Sequence, residues 1–143
     1  MTVSDSSTQV ELLLEAPPNQ AILQFLKENQ YSAQSDMIDM LLRSAEGLQE
    51  TEVFTPDADN QAYYALHTPN GIMFAVTIGL NGLLYKLPNQ AISGALVKGG
   101  TVFRELQDNW VNFSPYWPEQ EGEVNLDNLR HWCRLAYHHA LSL

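Results

Sequence analysis

One cysteine in 143 residues, Cys133, excludes an intrachain disulfide and every Cys-x-x-Cys metal or redox motif. Basic residues are almost as scarce. Seven Lys and Arg stand against 17 Asp and Glu, giving a net charge of -10, and that balance repels phosphate at long range and disfavours nucleic acid as a partner. No long apolar run occurs. Leu12-Leu13-Leu14 is far too short for a signal core or a membrane span, and the opening Met1-Thr-Val-Ser-Asp-Ser-Ser7 carries no basic stretch. These features, with the lone thiol, make the cytoplasm the expected location and leave the membrane out as a partner. Catalytic signatures are missing too: there is no Gly-x-Ser-x-Gly, no His-Glu-x-x-His and no phosphate-cradling loop. Gly99-Gly100 has neither the spacing nor the following helix of a P-loop. No reaction, cofactor or metal is therefore expected, and the chain is read as acting by binding.

What is present suits one ordinary domain over residues 1–143, with residues 1–8 frayed. Hydrophobic residues make up 45% of the chain, enough for a core without metal or disulfide help. The charge is lopsided: residues 1–70 hold 11 acids against Lys27 and Arg43, whereas residues 71–143 hold 6 acids against 5 bases. Residues 10–15 fit either a short strand or a helical turn. Pro17-Pro18 suits a helix start, where a missing N–H costs nothing, and Ile22, Leu23, Phe25 and Leu26 mark an amphipathic helix to about Gln30. A second helix follows, with Ser35 as its expected N-cap, Asp36 and Asp39 complementing the dipole, and Met37, Ile38, Leu41, Leu42, Ala45 and Leu48 at helical spacing.

The middle of the chain reads as strands. Residues 51–55 and 62–67 are the first two, separated by a turn at 56–60. Next, Gly71 to Gly79 alternates Ile72, Phe74, Val76 and Ile78 with Met73, Ala75 and Thr77, so the larger set is expected on one face. Asn81-Gly82 between apolar runs predicts a type I′ turn with positive φ at both residues, and Leu83 to Leu87 returns as the partner strand. Asn89 to Lys98 reads as a helix stopped by Gly99-Gly100. Residues 101–106 and 110–113 form a second hairpin, and Asn125 caps a last helix carried by Leu126, Leu129, Trp132, Cys133, Ala136, Tyr137 and Ala140. The expected fold is α+β: an antiparallel meander sheet with helices packed on one face and a C-terminal helix.

Candidate binding residues come from three places. Arg130, Arg134 and His138 recur every four residues with His131 beside them, the one cationic stripe in an acidic chain. Its ordinary reading is a solvated face paired with Asp127 or the Glu119 to Glu123 run, and its functional reading is a docking stripe for an acidic partner or for the chain's own acidic half in a homodimer. A metal reading of this helix fails on spacing, because His131 and His138 lie seven residues apart, about 10 Å at 1.5 Å per residue. Tyr116 and Trp117, framed by Ser114-Pro115 and Pro118, either anchor a ligand or peptide or lid the core. Lys86, alone among apolar neighbours, either lines a cleft or extends past a sheet edge.

Four features taken in order resemble the small α+β domains of the TfoX N-terminal and MmcQ/YjbR-like group: Met73-Phe-Ala75 with Leu84-Tyr-Lys-Leu-Pro88, Lys98-Gly-Gly-Thr-Val-Phe103, Asp108-Asn-Trp-Val111, and Leu129-Arg-His-Trp-Cys-Arg-Leu-Ala-Tyr137. The resemblance covers residues 36–141. It implies an antiparallel sheet with helices on one face, and roles in competence regulation or in association with DNA. The chain departs from that pattern at Gln107-Asp-Asn109, where basic residues would precede the tryptophan. That departure and the acidity count against DNA binding. In composition and element order the chain also looks like type III secretion chaperones, dimers that hold unfolded segments of a partner. The leading expectation is a regulatory or adaptor module that binds another protein as a homodimer. Capture of an extended client segment and DNA-associated regulation are the alternatives.

Overall fold

The computed structural model describes residues 16–28, 34–54, 63–79, 82–106, 109–115 and 125–143. The expected elements at 10–15 and the turn at 56–60 lie outside the described residues. In chain order the elements are helix α1 (Pro17–Glu28), helix α2 (Ser35–Ser44), strands β1 (Glu52–Phe54), β2 (Ala65–His67), β3 (Met73–Ile78) and β4 (Gly82–Lys86), a 3-10 turn (Asn89–Ala91) leading into helix α3 (Ile92–Val97), strands β5 (Thr101–Val102) and β6 (Trp110–Phe113), and helix α4 (Leu126–Leu141). The strands form one antiparallel sheet in the order β1-β2-β3-β4-β6-β5. The α+β class expected from the sequence is the one observed.

Buried residues divide between the two faces of this sheet. On one face α2 and α4 cover Phe74, Leu83, Tyr85, Val111 and Phe113 with Met37, Leu41, Leu129, Trp132, Cys133 and Ala136. Phe113 stacks on Trp132 with ring centres 6.0 Å apart, and Tyr137 meets Phe74 edge-on at 5.5 Å. Helices on this face agree with the sequence reading. To this the structure adds a cover on the other face, where α1 lays Ile22, Phe25 and Leu26 against Met73, Val76, Leu84 and Trp110. All of β3 and β4 is consequently buried, as strands covered on both sides must be.

The expected alternation along β3 holds only in part. Leu66 and His67, adjacent on β2, pair with Ala75 and Met73, so Phe74 is an extra residue on β3. This bulge turns Phe74 and Ala75 toward the same cluster, while Val76 and Ile78 face α1. The hairpin also differs. Ile78 pairs with Gly82, so residues 79–81 make the connection and Gly82 is already a strand residue. Gly79, just after β3, has φ +58°. Gly82 is required for space instead: a Cβ there would lie 2.5 Å from Ile78 Cγ1 and 2.7 Å from the Ile78 carbonyl oxygen. At α2 the N-cap is Gln34, without a side-chain cap bond, and Ser35 is the first helical residue.

Two buried polar residues fix the edges of this arrangement. Asn19 of α1 donates its Nδ2 to the Gly71 carbonyl at 2.7 Å and accepts the Met73 N–H at 2.8 Å, clamping the entry to β3. His67 places Nδ1 2.8 Å from the Thr68 carbonyl and Nε2 3.5 Å from Glu52, its partner in β1. Among the described residues no helix is long and apolar enough to cross a membrane.

Candidate functional site

Helix α4 owes its start to Asn125, whose side chain accepts the Asn128 N–H at 2.9 Å. Asn128 then receives Trp132 Nε1 at 3.1 Å and donates to the Lys98 carbonyl at 3.0 Å, tying the helix to the end of α3. With Leu129, Trp132, Cys133, Ala136, Tyr137 and Ala140 turned inward, helical geometry leaves Arg130, His131, Arg134 and His138 outward.

The four members of the stripe do different things. Arg130 reaches Glu46 at 3.1 Å and Asp127 at 3.5 Å, and its Nε donates to the Arg43 carbonyl at 3.4 Å. It joins the C-terminal end of α2 to α4; the Asp127 contact is the ordinary reading of that position, whereas the Glu119 to Glu123 run lies outside the described residues. His131 is exposed with its ring edge-on to Trp132 at 4.5 Å, and His138 is exposed beside Tyr137 at 5.5 Å. Arg134 is exposed one turn before His138. Among the described residues Arg134, His131 and His138 enter no ion pair.

Arg134 and His138 also line a pocket of about 360 Å³ between the turn after α2 and the last turns of α4, together with Gly47, Leu48, Tyr137 and Leu141. The turn exists because Gly47 adopts φ +93°, the left-handed conformation with which helices commonly end. A glycine after Arg43-Ser-Ala-Glu46 was the available sequence signal for it.

Lys86 departs from both of its expected roles. It belongs to β4, an inner strand between β3 and β6, and not to an edge strand. It is 5% exposed, and Nζ donates to the Pro18 carbonyl at 3.4 Å in the first turn of α1. Tyr116 and Trp117 lie outside the described residues.

Ser44 Oγ bonds the Leu41 carbonyl at 2.7 Å and meets Tyr85 Oη at 2.8 Å. Burial drives the Cys133 thiol up to about 12, against smaller opposing effects of a Ser44 hydrogen bond and the Arg134 charge. The Tyr85 hydroxyl is driven well above its ordinary value, first by burial and then by Cys133 nearby, and burial lifts Tyr63 to about 12. Burial and a raised pKa of this kind mark a thiol packed into the core. Among the described residues no group of three or more His, Cys, Asp or Glu is placed to hold a metal ion.

No family model, curated protein or solved structure matches this chain. The likeness to the TfoX N-terminal and YjbR-like group accordingly rests on the residues quoted for it above.

Proposed function

We propose that this protein is a small non-catalytic adaptor that binds an acidic segment of another protein on the outward face of α4. The observation that carries the reading is the exposure of Arg134, His131 and His138 without an ion pair among the described residues, in a chain of net charge -10. In such a field an arginine without an ion pair, flanked by exposed imidazoles, is the natural docking place for negative charge, and complementarity of this kind sets partner choice and association rate. Arg130 supports the division of labour, since its bonds to Glu46 and the Arg43 carbonyl hold the helix that displays the others. The neutral, buried Cys133 and Tyr85 support a binding role over nucleophilic chemistry.

The test is fluorescence anisotropy with a labelled peptide of alternating glutamate and leucine, comparing the parent chain with an Arg134→Glu/His138→Glu double variant. Both positions are exposed, so the fold should survive, as circular dichroism would verify. Binding should weaken at least about tenfold in the variant and fall with added salt. Equal binding by the two proteins would overturn the reading. If the acidic partner is a second copy of this chain, sedimentation will show self-association that the same variant abolishes.

Capture of an extended segment is a second reading, favoured by the outer strands. Val53 of β1 and Val102 of β5 are 48% and 46% exposed on the two edges of the sheet, where an added strand would pair. Binding that survives the double variant but fails on Val102→Lys would select it.

A further inference from the structure

The pocket beside Arg134 and His138 combines features that an acidic docking face alone does not need. Its volume of about 360 Å³ falls at the small end of the roughly 300–1,000 Å³ typical of sites for small molecules. Its walls are of two kinds. Leu48, Leu141 and the buried ring of Tyr137 are apolar, while Arg134 and His138, one helical turn apart on the same side of α4, supply the polar end. Opposite them, Gly47 leaves the approach open, since no atom lies within 4 Å of the position a Cβ would take there.

We propose that this pocket binds a small organic carboxylate with an apolar body, the carboxylate on Arg134 and His138 and the body against Leu48, Tyr137 and Leu141. The guanidinium fork matches a carboxylate with two parallel hydrogen bonds. A singly charged group fits better than phosphate because α2 ends at Ser44 and α4 at Leu141, which directs the negative ends of two helix dipoles to this side of the molecule. The one guanidinium there balances one negative charge, with the His138 ring as a further hydrogen-bonding partner, and a dianion would carry the excess into an already acidic protein. The same chemistry is offered by a free small acid and by the C-terminal residue of a polypeptide.

The experiment is a titration of the 15N-labelled full chain with N-acetyl-leucine, followed by its amide N-acetyl-leucinamide, acetate, inorganic phosphate, and a short peptide ending in leucine. N-acetyl-leucine should shift the Gly47 and Leu48 amides saturably, with the amide analogue, acetate and phosphate each at least about tenfold weaker. Arg134→Gln should weaken N-acetyl-leucine by about tenfold without disturbing the rest of the spectrum. A peptide much tighter than N-acetyl-leucine would identify a polypeptide C-terminus as the source, and equal affinity a free acid. Binding of the neutral amide as tight as that of the acid, tighter binding of phosphate, shifts confined to other parts of the molecule, or absence of saturation would each overturn the proposal. His131 does not line the pocket, so His131→Glu separates this inference from the docking role: it should weaken an acidic segment and leave N-acetyl-leucine unchanged.

Discussion

The face of the sheet beneath α2 and α4 and the face beneath α1 bury the same kinds of side chain, yet they are joined to their helices by different means. Under α2 and α4 the union is mostly apolar, with stacked rings at Phe113 and Trp132 and a buried hydroxyl contact between Ser44 and Tyr85. Under α1 the covering comes from Ile22, Phe25 and Leu26 with Leu23 beside them, Phe25 meeting Phe103 edge-on at 5.2 Å, and polar ties help hold the helix: Asn19 on the backbone of Gly71 and Met73, and Lys86 on the Pro18 carbonyl. This face also leaves the buried Trp110 Nε1 without a hydrogen-bond partner among the described residues. The difference predicts that α1 opens before α4, because many dispersed contacts tolerate the loss of one and a polar clamp does not.

Substitutions can break that contrast. The largest effect is expected from Phe74→Ala, which empties a fully buried ring site between the sheet and α4 and should cost about 3–5 kcal/mol in a guanidinium titration. Next comes alkaline pH. The Cys133 thiol rises from 9.0 to about 12 on folding, and Tyr85 and Tyr63 rise from 10.0. These groups stay protonated in the folded chain where the unfolded chain ionises, so their contribution is fully present below pH 9 and is lost as the pH climbs toward 12. Thermal melts should show that decline, and Cys133→Ala should flatten it.

Asn19→Ala should cost about 1–3 kcal/mol by leaving the buried Met73 N–H and the part-buried Gly71 carbonyl without this partner. Its hydrogen-exchange signature sharpens the comparison. Amides of α1 should exchange faster while those of α4 keep their protection, and equal acceleration in both would show that the two faces open as one unit. The smallest effect is Arg130→Ala, about 0.5–1 kcal/mol for a partly exposed ion pair, shrinking further in salt.

The well-packed face was the legible one. Helical spacing in residues 37–48 and 126–140 and the apolar run from Gly71 to Gly79 announced the helices, the strands and the class of fold, because burial on a helix stripe or a pleat repeats with a fixed period. The α1 face was harder to read, since its placement depends on single residues. Asn19 falls at helical spacing with Ile22 and Leu26, on the apolar side, and a polar residue in that position was the available sign of a buried clamp. The bulge at Phe74 was hidden for the opposite reason: β3 is apolar on both sides, so shifting one residue across the sheet leaves no trace in the pattern. Asn81-Gly82 misled because two-residue turns are the usual home of that pair, whereas here Gly82 pairs with Ile78 inside the strand, where a Cβ would collide with Ile78. For the site, four-residue spacing identified the outward face of α4. That Arg130 would be occupied by Glu46 and the Arg43 carbonyl depends on how α2 meets α4, which no local spacing encodes.

The account stands or falls on which surface receives a partner. Titrating the 15N-labelled chain with an acidic peptide and mapping the amide shifts addresses this directly. The predicted result is a continuous set of changes over Arg134, His138 and the turn from Gly47 to Gln49, with α1 and the exposed edge of β5 silent. Shifts centred on α1 or on Thr101 and Val102, with the outward residues of α4 unmoved, would contradict it.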